Sequence, residues 1–487
     1  MKTKNTKSFA SRWGFILASV GSAVGMANVW GFPNKLGSNG GGAFLLIYLL
    51  FVVIFSTVGL PTEFAMGRRA GTGTLGAYEG AWATRGKTAG KVGGLLGWLP
   101  LAGSLCIAIG YAVIVTYILK ALVDSLLGTL MTGDAAVWFA SFSTQPYSVI
   151  PYHIIVVAGT LLTLFLGAHS IEKTNKVMMP LFFIIFLVLA VRVALLPGSA
   201  EGYKFMFNPD FSVFSNPDIG FGRVLKSAAG QMFFSLSIGL GVMMTYGSYL
   251  GKQEHLQRNA LIVCGADTLI ALMAGMAVMP ACSAFGVEYG AGPGLLFTSM
   301  QTVFAHMGSV GNFIGFIFYL LVLIAALTSS ISMLELCTAY AVDKQLDKGL
   351  TPKRAKHTAS VAALVFVAGS LVALDGLGAG VSGGAAVETP ATLFGLSVHG
   401  WNDCWLDLYD MIAEGILMPL GALVMTILIG WVLKPEVVQL ECEQSGVKYR
   451  AAGYFKVCFK FIVPVLLAFI LFCQLIDFFG LKIPGLS

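Results

Sequence analysis

One apolar segment, roughly residues 11 to 36, is long enough to cross a bilayer but poorly built to do so as a single rod. Its middle reads Gly21-Ser-Ala-Val-Gly-Met-Ala-Asn-Val-Trp-Gly-Phe-Pro33. Gly21, Gly25 and Gly31 each lower helix propensity by about 1 kcal/mol relative to Ala, and Asn28 places a polar side chain near mid-membrane. Backbone groups freed by an interruption find no partner in lipid, but they are tolerated where they line a cavity inside the protein. The segment therefore predicts two half-helices with an unwound joint near Val24 to Ala27. The Gly21-x-x-x-Gly25 spacing equally suits the close approach of two helices, and on this segment alone both readings stand.

The rest of the chain belongs to the same environment. It has 487 residues, 56% of them hydrophobic and 11% charged, against about 25% charged in soluble domains. At about 20 residues per crossing, a polytopic membrane protein of ten to twelve helices fits. The hydropathy pattern predicts eleven spans, at 12–36, 42–67, 93–127, 150–167, 172–197, 222–250, 257–285, 310–342, 358–375, 404–433 and 457–480. Most of the 30 Lys and Arg residues fall on one set of loops. The excess of basic residues in cytoplasmic loops then puts the N-terminus inside and, with an odd span count, the C-terminus outside. Met1 to Arg12 is basic and runs straight into a long span, so no cleavable signal is expected.

Several functions are excluded at this stage. The basic residues sit in short interhelical loops, which gives no nucleic-acid surface. The eight Cys are scattered through apolar segments without CxxC spacing and read as small core residues. Gly378-x-Gly380-x-x-Gly383 formally matches a dinucleotide fingerprint, and Gly380-Val-Ser-Gly-Gly384 a nucleophile elbow. Both need a strand–turn–helix context, and they overlap in one short loop after an apolar span. No nucleophile–base pair or metal cluster appears, so an enzyme is not expected.

A second interruption matches the first. Gly230-Gln-Met-Phe-Phe-Ser-Leu-Ser-Ile-Gly-Leu-Gly241 lies within span six and again combines polar side chains with glycines. Spans one and six open two blocks of five, and an odd block inverts its copy. Interrupted helices at matching positions of two inverted halves point to a transporter's midplane site. The chain resembles the neurotransmitter:sodium symporter family over nearly its whole length. The resemblance is carried by these two stretches together with Ser-Arg12-Trp-Gly-Phe-Ile-Leu-Ala, Asn39-Gly-Gly-Gly-Ala-Phe44, Glu63-Phe-Ala-Met-Gly-Arg68 and Leu327-Thr-Ser-Ser-Ile331. It implies an all-α polytopic membrane protein of LeuT type. Residues 12–197 would form one five-helix repeat, 222–433 its inverted partner with broken spans one and six, and 457–480 an additional eleventh span.

The resemblance also implies a site. One sodium would be held by the Ala23 carbonyl, Asn28, Ser235 and Asp267, and completed by a substrate carboxylate. A second would be held by the Gly21, Val24 and Ala325 carbonyls with the Thr328 and Ser329 hydroxyls. Oxygen is the donor that hard cations select. Outside the resemblance, Thr328, Ser329 and Ser330 read equally as interhelical hydrogen-bonding groups. Asp267 stands where the family usually has Asn, and the chloride-site position one turn later is Ala271, while Tyr48, Gln231 and Ser235 match other chloride-site positions. A fixed carboxylate at Asp267 would replace chloride, which is then not required; a protonated, hydrogen-bonded Asp267 is the other reading.

Amine-carrying relatives place Asp at the position of Gly25, so Gly25 implies a substrate with its own carboxylate, an α-amino acid. That carboxylate would meet the Met26 and Ala27 amides and Tyr111; its ammonium would meet the Ala23, Phe234 and Ser235 carbonyls and Ser237. Ser22, Ile107, Phe234, Leu240, Ser329 and Met333 would line an uncharged side-chain pocket. The family's outer gate pairs an Arg with an Asp. Here the Asp is Asp410 but the Arg position is Gly31, which leaves closure to Tyr111, Phe234 or another donor to Asp410. At the inner gate the Asp is Asp343 and the Arg position is Thr6, with Lys4 or Lys7 as substitutes. Pro180 matches a span-five Pro associated with inward release, but its partner Gly is Ser170. A sodium-coupled importer of a neutral, apolar amino acid is expected, with the lipid bilayer as its only other partner and its oligomeric state open. A channel and a transport-inactive sensor are the competing classes.

Overall fold

The computed structural model describes residues 11–145, 147–165, 167–216, 219–289, 295–380, 387, 389, 392–393, 396–397, 403–450, 452–479 and 481. Lys2, Lys4, Thr6, Lys7, Gly383 and Gly384 lie outside the described residues, so the inner-gate substitutes and the ends of the two formal loop motifs do too. Apart from one two-residue antiparallel pair, Thr392–Leu393 with Leu396–Ser397, the described regular structure is helical.

Eight helices have the length and composition to cross a membrane: Gly42–Ala70, Lys87–Leu126, Ala168–Ala194, Leu256–Phe285, Gly311–Asp347, Arg354–Leu374, Trp405–Leu433 and Ala452–Ile476. They occupy positions two, three, five, seven, eight, nine, ten and eleven. Position one is a pair, Arg12–Ala23 and Ala27–Ser38, bent by 48° at its joint. Position four is a shorter apolar helix, Ile150–Leu164. Position six is the pair Gly220–Ser235 and Val242–Gly247. The third helix begins earlier than hydropathy suggests because Lys87–Leu96 adds polar turns to its N-terminal end.

The outer helices carry apolar side chains outward at helical spacing. Leu46, Leu50 and Val53 are exposed on span two, and Ile184, Leu187, Val188 and Val191 on span five. In water such stripes would be unfavourable; against acyl chains they are the expected surface. Inside, the driving force is close packing, and glycines set the distances. A Cβ on Gly67 would lie 1.8 Å from the Met244 carbonyl oxygen, and one on Gly247 2.6 Å from that of Phe64. Span two thereby presses directly on the second half of span six.

Two buried charged clusters outside the central site are paired. Arg68 forms a buried ion pair with Glu441 at 2.8 Å and also binds the Glu254 carbonyl, which ties span two to the segments that follow spans six and ten. Glu335 pairs with Arg354 and accepts from Tyr249 at 2.6 Å. Gly67→Ala should destabilise the fold by about 2 kcal/mol, the cost typical of overpacking; a melting temperature in detergent within one degree of wild type would contradict this packing.

Candidate functional site

Span one breaks where its glycines predict. The first helix ends at Ala23, Val24 turns extended, and the chain resumes as a π-turn over Ala27–Gly31. Asn28 stitches the joint: its Oδ1 accepts from the Gly25 amide at 3.0 Å, replacing a helical carbonyl. From span six, Gln231 donates at 2.7 Å to the Ala27 carbonyl, which also accepts the Phe32 amide. Gln231 thus braces the joint, in addition to matching a chloride-site position.

Span six breaks after Ser235. Ser237 adopts φ +52°, Gly239 +84° and Gly241 +76°. Left-handed backbone costs a non-glycine residue about 1–2 kcal/mol, so Ser237 is held there by its surroundings. Glu63 of span two accepts the Gly239 amide at 2.8 Å, and Thr74 donates to the Gly241 carbonyl at 2.7 Å. A Cβ on Gly239 would fall 2.7 Å from the Met418 carbonyl oxygen. Glu63 entered the sequence analysis only as part of a motif and Thr74 not at all. An intramembrane carboxylate facing an interrupted helix was the available signal for Glu63; for Thr74 there was none.

The two joints face each other across a cavity of about 30 Å³. Every residue expected at the substrate site lines it except Ser235, and Val242 is added. Ser235 instead turns behind the wall toward Asp267. No lining residue is charged. The Met26 amide points at the Tyr111 hydroxyl at 3.4 Å. A Cβ on Gly25 would lie 2.4 Å from Ser329 Oγ, so a larger residue at 25 requires Ser329 to shift.

The two expected ion sites flank this cavity. At the first, Asn28 Nδ2 donates to Asp267 Oδ1 at 2.8 Å and to Ser235 Oγ at 3.0 Å, and Ser235 donates to the Asp267 carboxylate at 2.9 Å. All three side chains are fully buried. At the second, the Thr328 hydroxyl donates to the Ala325 carbonyl at 2.9 Å and Ser329 to the Ser22 carbonyl at 3.4 Å, with Gly21 packed against Thr328. The donors are hard oxygens: carbonyls, hydroxyls, an amide and one carboxylate. No group of three or more His, Cys, Asp or Glu suited to a metal occurs among the described residues. The set fits a weakly charged hard cation such as sodium and does not fit a transition metal.

Toward the outside, Gly31 faces Gln231, whose Oε1 would lie 3.3 Å from a Cβ there. One turn further, Lys35 shares a cavity of about 490 Å³ with Glu414 and Phe234. Its charge acts on both Asp410 and Glu414, which lie side by side. Lys35 and Glu414 were not foreseen; one-turn displacement from Gly31 and Asp410 was the missed signal. Toward the inside, Asp343 accepts from the Gly73 amide at 2.6 Å. Span five runs unbroken through Pro180.

Gly25→Ala should lower the melting temperature by several degrees, from about 1–3 kcal/mol of overpacking, and Ser329→Ala added to it should restore most of the loss. Independent, additive effects of the two changes would refute this contact.

Comparison with known proteins agrees with the architecture. The model of the sodium:neurotransmitter symporter family matches residues 6–145 and 141–381. An uncharacterized sodium-dependent transporter of Haemophilus influenzae is 33% identical, covering 97% of this chain and 99% of its own length. One of Bacillus subtilis is also 33% identical, covering 96% and 97%. The crystal structure of MhsT in complex with L-phenylalanine superposes with a TM-score of 0.81 at 31% identity, over 96% of this chain and 99% of that one. The interrupted helices, the apolar cavity between them and these matches place the chain in the sodium:neurotransmitter symporter family, a family of multi-pass membrane transporters and not of enzymes.

Proposed function

We propose that this protein is a sodium-coupled symporter that imports a neutral, apolar α-amino acid by alternating access. The observation that carries the reading is the uncharged cavity between two broken helices, with oxygen-only groups on either side of it. The sodium-dependent transporters among its relatives and the phenylalanine bound to MhsT support it. In this reading, positions four and six complete eleven spans, grouped as repeats 12–197 and 222–433 with 457–480 appended. The N-terminus is cytoplasmic and the C-terminus outside.

The chemistry follows from the joints. The end of a half-helix presents unpaired amides or carbonyls, and these suit a carboxylate and a cation respectively. The substrate carboxylate would lie at the Met26 and Ala27 amides beside Tyr111. Its ammonium would face the Ala23, Phe234 and Ser235 carbonyls and Ser237, its side chain Ile107, Leu240 and Met333. One sodium would take Ala23, Asn28, Ser235 and Asp267; the other would take Gly21, Val24, Ala325, Thr328 and Ser329. A cavity of about 30 Å³ holds little more than water, so binding must move its walls. Phe234 and Tyr111 are the side chains placed to do this, with the Lys35 charge beside Asp410 and Glu414 taking the part of the missing Arg. Each sodium entering down 100 mV contributes about 2.3 kcal/mol, more than a tenfold step in accumulation.

The test is purified protein in sealed liposomes with an imposed sodium gradient and labelled Trp, Leu or Tyr. Saturable, sodium-driven accumulation is expected, and Thr328→Ala with Ser329→Ala should reduce it at least tenfold. Sodium-independent flux would favour a channel; binding without flux would favour a sensor. Replacing chloride by gluconate should leave uptake within twofold, because Asp267 supplies the negative charge, while Asp267→Asn should cut it about tenfold. Complete chloride dependence of the wild type would remove that role from Asp267.

A further inference from the structure

Span five meets the inner half of span one along Gly14, Ala18 and Gly21, which lie on one helical face at i, i+4 and i+7. The face is notched, and side chains of span five fill the notches. A Cβ on Gly14 would lie 2.1 Å from Glu172 Cδ, and one on Gly21 would lie 1.9 Å from Asn175 Oδ1 and 3.3 Å from Thr328 Cβ. Glu172 is occupied by the Ser11 hydroxyl at 2.8 Å and Lys176 at 2.6 Å. Asn175 is different. It is 1% exposed, and its amide nitrogen donates to the Ile171 carbonyl at 3.0 Å, which fixes the orientation of the amide. Its oxygen is thereby turned toward Gly21 and Thr328, and among the described residues that oxygen has no hydrogen-bond partner.

A buried carbonyl oxygen without a donor loses its hydration for nothing in return. The threonine beside it, Thr328, has its hydroxyl already committed to Ala325, so a cation is a partner that fits. Direction matters as well. A helical Cα–Cβ bond tilts toward the helix N-terminus. Asn175 Oδ1, lying almost where that atom would be, therefore sits on the N-terminal side of Gly21. That is the side of the basic loops, and it is further in than the Gly21 and Val24 carbonyls.

We propose that the Asn175 side-chain oxygen is a sodium-binding station on the cytoplasmic side of the second ion site, the first oxygen an ion takes as it leaves toward the cell interior. The inference rests on the sodium-symport reading above. It assigns Asn175 to the inward-open state and leaves the outward-facing ion sites to the groups already named.

Proteoliposomes carrying wild type, Asn175→Ala, Asn175→Asp and Thr328→Ala, with whichever of Trp, Leu and Tyr the wild type accumulates, test it. Two quantities are read: the external sodium giving half-maximal uptake and the internal sodium giving half-maximal efflux. Asn175→Ala should raise the internal value at least fivefold and move the external value less than twofold. Asn175→Asp, nearly isosteric and charged, should lower the internal value and slow net turnover, and it decides the matter if the Ala variant does not fold. An unchanged internal value in both variants, or equal shifts on the two sides, would overturn the assignment. Thr328→Ala should raise the external value at least tenfold; if it does not, the second-site reading itself fails, whatever Asn175 does.

Discussion

A peptide group released from its helix inside a bilayer must find a partner within the protein, because lipid offers none. This structure is arranged around two places where that happens. At the first, Asn28 takes the Gly25 amide, and Gln231 adds a second donor to the Ala27 carbonyl beside the Phe32 amide. At the second, Glu63 takes the Gly239 amide, and Thr74 adds a second donor to the Gly241 carbonyl beside the Thr245 amide. Each joint is braced from another helix, and what the braces leave uncovered is the wall of the central cavity.

The same economy explains where charge sits. The Asp267 carboxylate sits between two donors, Asn28 and Ser235. The cavity itself carries none. An uncharged lining with oxygens beside it leaves both charges to the ligand, in keeping with the α-amino acid proposed above. A larger residue at Gly25 would require Ser329 to shift, since Ser329 stands 2.4 Å from the position of any Cβ.

Much of this was legible in the sequence, for definite reasons. Glycines with polar neighbours inside long apolar runs have few uses, so interruptions were expected near Val24 to Ala27 and within Gly230 to Gly241; the helices end at Ala23 and Ser235. The lining residues followed from the family resemblance, which carries positions one by one. What could not be read was anything that depends on a distant helix turning a particular face inward. Thr74 looks like an ordinary loop-flanking threonine. Arg354 and Glu335 are ordinary charges until the fold buries them together. Lys35 and Glu414 stand one turn from the positions that sequence matching examined. Ser235 was expected both at the substrate wall, through its carbonyl, and beside Asp267; its hydroxyl binds Asp267, and it does not line the cavity. Span five looked suited to unwinding at Pro180, yet it is unbroken here.

The interlocking of spans one and five constrains how the carrier moves. Glu172 and Asn175 project into gaps that glycines leave in the opposing helix, like teeth in a rack. Axial sliding of one helix along the other would drive these side chains into backbone, whereas drawing the helices apart meets no such obstacle. Of the two ways packed elements commonly rearrange, shear and hinge, only the second is open at this seam. The inner half of span one can therefore tilt away as a lever pivoting on its glycine joint, and the crevice it uncovers lies along its contact with span five.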